Sequence, residues 1–426
     1  MAEENGFDGL KRLVHNVRSV RFGDTPGLDG GNLVASEEQL QGLLAGPALR
    51  STRLTWARPG ESVRIVKILD SLEPRTKGPG GGGMFPGFLG PALPQGTGET
   101  HVLKGVAVVV AGKLPRAQEG MVQMSGPAAD LSFLGSTNNL VIEFEPAEGA
   151  GWPQVDEALR RGAMRIAVAL ADLALEAEPD EVQELPALRP GTGSPLPRVG
   201  AIVNLQTQGA FKDVFVYGRT MANSMPTAID PNELDDGAVV SGQYGHPGLK
   251  NPTFTHQNNP VVAALRERDG KDLIFGGVIL SPEPVDQTLK ELTSAHAARM
   301  ARQMGLDAAV VTKEGGGNAD SDISLKIDAM EAMGLVGIGI FAEMSGPDGT
   351  GPPVVGPPTT ATAMVSTGNY DERITLDAVD KALGGEIVDL NGLDAAAEMV
   401  LPVAAIYGSL SPLGLGRLTC ATEVPA

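Results

Sequence analysis

Cysteine is nearly missing from this chain: of 426 residues only Cys420 is one. An intramolecular disulfide and a cysteine zinc site are therefore excluded. Aromatic residues are also scarce, at 4 %. Basic charge is in deficit, with 33 Lys and Arg against 52 Asp and Glu and a net charge of −19. That balance disfavours nucleic acid and anionic membranes as partners, because a phosphate-binding surface needs a basic face. No long hydrophobic run is present. The longest uncharged stretch, Met399 to Gly416, holds two prolines and three glycines and is unsuited to a membrane helix. The segment MAEENGFDGLKRLVHNV has no apolar signal core, so a cytoplasmic location is expected.

What the chain does have is small residues and turns. The 56 Gly and 32 Pro make up about a fifth of it, yet apolar periodic segments recur throughout, which excludes disorder. The length suits two or three domains. Residues 1–150 read as β-rich, with a short amphipathic segment at Leu10–Val20, alternation over Ser62–Leu69, and apolar runs at Val102–Val110 and Leu140–Phe144. Lys77 to Gly98 is a Gly/Pro loop. Its GPGGGG matches a dinucleotide glycine pattern only trivially, since Met-Phe-Pro rather than a helix follows. So long a loop suggests a surface or subunit contact, and an oligomer is expected.

From Gln154 the period changes. A helix is expected to Glu176, and then apolar runs alternate with helical stretches. Strands are expected at 201–205, 273–280, 308–312, 336–341 and 361–365, and helices at 260–268, 285–304 and 323–333. The fold class is α/β: a β-rich region over 1–150 followed, over 151–426, by a doubly wound, mostly parallel sheet.

In such sheets ligands bind beyond the carboxyl ends of the strands. Four polar clusters fall there: Gln206-Thr207-Gln208-Gly209, His256-Gln257-Asn258-Asn259, Glu314 through Asn318 and Asp320 to Asp322, and Ser366-Thr367-Gly368-Asn369. Amides, an imidazole and carboxylates together suit a small zwitterion. His256 and Glu314 are the catalytic candidates: the imidazole to pass a proton to a leaving group, the carboxylate to hold a cationic nitrogen. Gln206, Gln208, Gln257, Asn258, Asn259, Asn318, Asp320, Asp322, Gly368 and Asn369 are the candidate binding residues. Plainer readings stand beside these. His256 equally fits a structural hydrogen bond, Asp320 and Asp322 equally fit helix capping, and Asn259 before Pro260 fits a helix start. Asn318-x-Asp320-x-Asp322 lacks the rest of a calcium loop, and no His pair has metal-ligand spacing, so no metal is expected.

The same clusters, in order, carry a family resemblance. The chain is similar to the component B proprotein of the glycine/sarcosine/betaine reductases at Lys104–Val108, Gln118–Gly120, Met124–Pro127 and Asn139–Val141. The similarity continues at LQTQG (205–209), Asp236–Gly242, NPTFTHQNNP (251–260), EGGGNADSD (314–322) and VSTGN (365–369), and more weakly through 406–424. D-proline reductase proproteins are a less close match. The resemblance implies a proprotein that cleaves itself before a cysteine, which becomes a pyruvoyl group. That carbonyl forms a Schiff base with a substrate amine, and a selenocysteine or cysteine of a partner subunit displaces the amine. A further component reduces the carboxymethyl group and releases acetyl phosphate.

The family's cleavage motif is Ser-Gly-Asn-Cys. Here the stretch is Ser241-Gly242-Gln243-Tyr244. A phenol can neither attack the preceding carbonyl through a five-membered ring nor be eliminated to leave pyruvoyl, so no pyruvoyl cofactor is expected. Tyr244 would stand by the cavity as a phenol donor or aromatic wall, a third catalytic candidate. Two functions follow. One is a component B-like subunit acting on a small amino-acid-like ligand with a thiol- or selenol-bearing partner. The other is a non-catalytic scaffold or ligand-sensing subunit.

Overall fold

The computed structural model describes residues 8–80, 82–115, 119–188, 193–208, 214–242 and 247–413. Besides a small sheet of Ser19–Phe22, Asn32–Ala35 and Gly27–Asp29, three sheets form around the first part of the chain. In one, Gly9–Asn16 lies between Glu181–Pro186 and Gly98–Lys104, with Arg75–Lys77 beyond. In the second the order is Leu49–Ala57, Asn138–Pro146, Val106–Ala111, Ile68–Leu72. The third joins Val122–Gln123, Val63–Ile65 and Lys381–Leu383, so a late segment of the chain returns to pair with an early one.

The apolar run over 102–110 is thus two strands in two sheets. Gly105 separates them at φ +87°, and a Cβ there would come within 2.9 Å of the Val17 carbonyl. Only glycine turns the chain in that space. The amphipathic segment Leu10–Val20 is covered by two strands: Gly9–Asn16, paired on both sides, and Ser19–Phe22, which belongs to another sheet. Helix α1 (Trp152–Asp172) packs Val155, Leu159, Ala163, Ile166 and Leu170 onto Val108, Val110, Leu140 and Ile142 of the second sheet.

The Gly/Pro loop folds back on its own chain. Phe85 is buried in the same core, and its N–H donates to the Asp236 carbonyl at 3.0 Å. A Cβ on Gly87 would stand 2.2 Å from the Tyr217 carbonyl oxygen, so the loop's glycines permit this close approach.

A six-stranded sheet contains five parallel strands: β1 (Arg198–Gln206), β2 (Ile274–Glu283), β3 (Ala308–Thr312), β4 (Val336–Glu343) and β5 (Ala363–Asn369). Their order is β2-β1-β3-β4-β5, with antiparallel Thr227–Ile229 outside β2. Helices cover both faces. Helix α2 (Pro260–Arg268) sets Val261, Val262 and Leu265 against Val203, Leu205 and Leu280. Helices α3 (Gln287–Gln303) and α4 (Asp320–Glu331) set Ala297, Ala301, Ile323 and Ile327 against Ile202, Ile279 and Val311 on the other side. This is the expected doubly wound α/β sheet. Its strand order reverses between β1 and β3, and the carboxyl ends of those two strands flank a topological switch point. Among the described residues no helix is long and apolar enough to cross a membrane.

Candidate functional site

At the switch point β1 ends on Gln206, and β3 runs on through Lys313 to Glu314. Glu314 is fully buried. One carboxylate oxygen accepts the Gln206 backbone N–H at 3.3 Å and the other accepts that of Asn251 at 3.0 Å. Burial pushes its pKa up to about 7, against the opposing pull of Lys250 and these two N–H groups. Gly315 follows at φ +76°, its face pressed on the Gln206 amide. The left-handed backbone, more than the contact with a flexible amide, requires glycine here. Gly315→Ala is expected to cost about 1–2 kcal/mol, read as a lowered thermal midpoint; an unchanged midpoint would show that the turn relaxes freely.

Lys250 lies beside Glu314 in this buried network. Its ammonium donates to the Ser241 hydroxyl at 3.0 Å. Burial lowers its pKa to about 8, opposed by the charges of Asp70 and Glu314. Asp70, also buried, accepts the Thr253 backbone N–H at 3.1 Å and its hydroxyl at 2.7 Å. The Thr253 hydroxyl oxygen in turn accepts the Ser241 N–H at 3.0 Å, and the Ser241 carbonyl accepts a guanidinium N–H of Arg160 at 2.8 Å. Ser241, Lys250, Thr253, Asp70, Arg160 and Glu314 thus form one connected, solvent-excluded polar network.

Sequence reasoning missed Lys250, Asp70 and Arg160. A signal existed for Asp70: it is the one charge in Ile68–Leu72, a strand buried at every position. Lys250 stands between two of the polar clusters already singled out. Arg160 was hidden in an amphipathic helix.

The structure divides the candidate set. Gln206 and Glu314 come together as above. Gln208 and Asn318 also meet, the Asn318 amide donating to Gln208 Oε1 at 3.0 Å on the exposed side of the loops. His256 is fully buried, and neither ring nitrogen has a hydrogen-bond partner among the described residues. Burial and nearby Lys250 push its pKa down to about 3. The neutral form of the ring is therefore favoured in the fold.

Other candidates have their polar atoms engaged within the protein. Gln257 pairs with the backbone of Glu73, accepting its N–H at 3.0 Å and donating to its carbonyl at 3.3 Å. Asn258 faces the same way, bonded to the Glu73 carboxylate at 3.0 Å and the Arg75 guanidinium at 2.7 Å. Asn259 caps α2 by accepting the Val262 N–H at 3.1 Å, the plainer of its two readings. Asp320 and Asp322 do not cap α4; the cap position is Ala319, with no side-chain bond. Instead Asp320 is ion-paired with Lys313, and Asp322 with Lys290 and Lys326, all buried. These carboxylates neutralise buried ammonium groups, and among the described residues no cluster of His, Cys, Asp and Glu has metal-ligating geometry. Asn369 ties the β4–β5 connection, accepting the Ser345 N–H at 3.3 Å and donating to the Gly346 carbonyl at 2.8 Å. Gly368 lies at φ +122° against Leu410. Tyr244 lies outside the described residues, as does Cys420.

The family described as glycine/sarcosine/betaine reductase component B subunits matches residues 10–404. The chain belongs to this family. It is 35 % identical over 420 residues to the glycine reductase complex component B subunits alpha and beta of Acetoanaerobium sticklandii, covering 95 % of this chain and 98 % of that protein. The corresponding Peptoclostridium acidaminophilum protein is 36 % identical over 415 residues, covering 95 % and 97 %. The sarcosine reductase complex component B subunit alpha of the same organism is 35 % identical over 373 residues, covering 86 % and 87 %. No solved structure matches. These relatives are subunits of multi-component reductase complexes. As a component B family member, this chain carries its buried carboxylate–ammonium network where a doubly wound sheet gathers its ligand-binding loops.

Proposed function

We propose that this chain is a component B-like subunit acting at a C–N or C–S bond of a small amino-acid-like substrate, together with a thiol- or selenol-bearing partner subunit and without a pyruvoyl group. The observation that carries the reading is the switch point itself. A carboxyl with a pKa near neutrality stands in one buried network with an ammonium whose pKa is also shifted toward neutrality, so proton exchange with a bound ligand is within reach. Glu314 would hold a cationic nitrogen, and the loop amides Gln208 and Asn318 would fix the rest of the ligand.

The residue present does not fit the pyruvoyl group. The family's chemistry needs a β-thiol or hydroxyl, and position 244 holds tyrosine. No step is therefore routed through such a carbonyl. The purified protein is expected as a single chain of 44.1 kDa. Intact mass spectrometry checks this; two fragments, or a hydrazide-reactive carbonyl at residue 241 or 244, would overturn it. Turnover of a small amine or thioether by the chain co-purified with its partner would establish the catalytic reading.

A scaffold or ligand-sensing role is favoured by a different observation: Gln257, Asn258, Asn259, Asp320, Asp322 and Asn369 are all engaged in internal bonds. Binding of small amines without turnover in the assembled complex would select it.

A further inference from the structure

The network around Lys250 contains more than a zwitterion pocket requires. Its amine is held 3.0 Å from a hydroxyl, that of Ser241. The backbone of the next residue, Asn251, fastens the Glu314 carboxylate at 3.0 Å. Arg160 fixes the Ser241 carbonyl at 2.8 Å and adds a second cation to the neighbourhood. An amine, a hydroxyl relay and a carboxyl acid, enclosed away from water, are the groups that imine formation needs.

We propose that Lys250 is a nucleophilic amine that forms an imine with the carbonyl of a small aldehyde or 2-oxo acid. This rests on reading the switch point as the ligand site and goes beyond the amino-acid-like substrate proposed above by adding a carbonyl compound as a second ligand class. The step balances within the groups present. The neutral Lys250 Nζ attacks the carbonyl carbon, and the C=O π pair moves to oxygen. The proton released by nitrogen reaches that oxygen through the Ser241 hydroxyl, giving the carbinolamine. The protonated Glu314 carboxyl then donates its proton as the C–O bond breaks. Water leaves, the nitrogen lone pair closes the C=N bond, and an iminium faces the Glu314 carboxylate.

The lowered pKa supports the step: at pH 8 the neutral fraction of this amine is about a hundredfold that of an ordinary lysine. The resemblance implies an imine between a protein carbonyl and a substrate amine; here the partners would exchange roles. A lysine serving only as counter-ion to Asp70 and Glu314 would stay protonated and unreactive.

The test is borohydride trapping on the intact wild-type chain with pyruvate, and separately with glycolaldehyde, followed by peptide mapping. Pyruvate, a ketone, labels surface lysines poorly. Glycolaldehyde asks whether the carboxylate is needed. Reduced adduct at residue 250 is expected from at least one probe, more than about tenfold above any other lysine. Lys250→Arg should abolish it, while Ser241→Ala should keep the amine but slow adduct formation by about tenfold. Adduct spread over surface lysines, with residue 250 unmodified by either probe, overturns the proposal even if both variants fail to fold. Calorimetric binding of small amines to the same preparation reports separately on the ligand-site reading, so the two can fail independently.

Discussion

Replacing Asp235 by alanine is expected to destabilise the protein by about 3–5 kcal/mol, because it leaves buried guanidinium groups without their shared anion. Asp235 is buried and bonded to three arginines: Arg12 at 2.8 Å, Arg75 at 3.0 Å and Arg266 at 3.2 Å. Arg75 is itself fully buried and leans on Glu73 at 2.6 Å. Arg12 and Arg75 come from two strands of the first sheet, while Arg266 lies in the last turn of helix α2, which packs on the doubly wound sheet. One carboxylate therefore fastens the two parts of the fold together.

Burial pushes the Asp235 carboxyl up, but the three guanidiniums outweigh it and hold its pKa below the ordinary carboxylate range. Its folded pKa is depressed, so its stabilisation is present above the unfolded carboxylate pKa and is lost only as pH falls through the lower folded value. Urea denaturation at pH 7 checks the prediction. Asp235→Asn should cost less than alanine, since it keeps one oxygen acceptor. A loss under about 1 kcal/mol for the alanine variant would mean that the arginines find solvent or other anions.

The second large effect is acid destabilisation through His256. Its pKa falls from 6.5 in the unfolded chain to about 3 in the fold. Between those values the unfolded state binds more protons, so stability rises with pH through the window and falls on acidification. The full span is roughly 5 kcal/mol. Buried Glu314 works in the opposite sense between its ordinary 4.5 and about 7, since its folded form holds the extra proton. The comparison is therefore between wild type and His256→Leu: the variant should lose much less stability between pH 6.5 and 3 in urea titrations. Parallel pH profiles for the two proteins would show that the ring is protonated and solvated in the fold.

Much of the α/β half was legible from periodicity. The helix at 260–268 and the strand at 308–312 were expected at the bounds the structure shows, because proline and polar clusters punctuate them. The first part was less legible. The apolar run at 102–110 is interrupted by Lys104-Gly105, but that pair does not say that the two halves join different sheets, which the approach of the Val17 carbonyl to Gly105 decides. The amphipathic pattern of Leu10–Val20 likewise does not show that Gly9–Asn16 and Ser19–Phe22 are separate strands in different sheets, a division set by their pairing partners.

By itself the sequence determined the fold class, the family and the positions of the polar clusters at strand ends, because alternation, helical period and turn residues are local properties. It also determined that tyrosine stands at 244 and that the one cysteine is far away at 420. Which polar groups face one another was decided only by the tertiary structure. Asn258 and Asn259 are adjacent in the chain, yet one bonds Arg75 across the fold and the other caps its own helix. Asp320 and Asp322 resemble a cap or a cation site, yet each neutralises a lysine from another element or turn. Lys250, Asp70 and Arg160, 180 positions apart at the extremes (70 to 250), share one network because Ser241 and Thr253 join them through hydrogen bonds. A side chain's partner depends on burial and on what the packing brings opposite, and neither is written in the spacing of a motif.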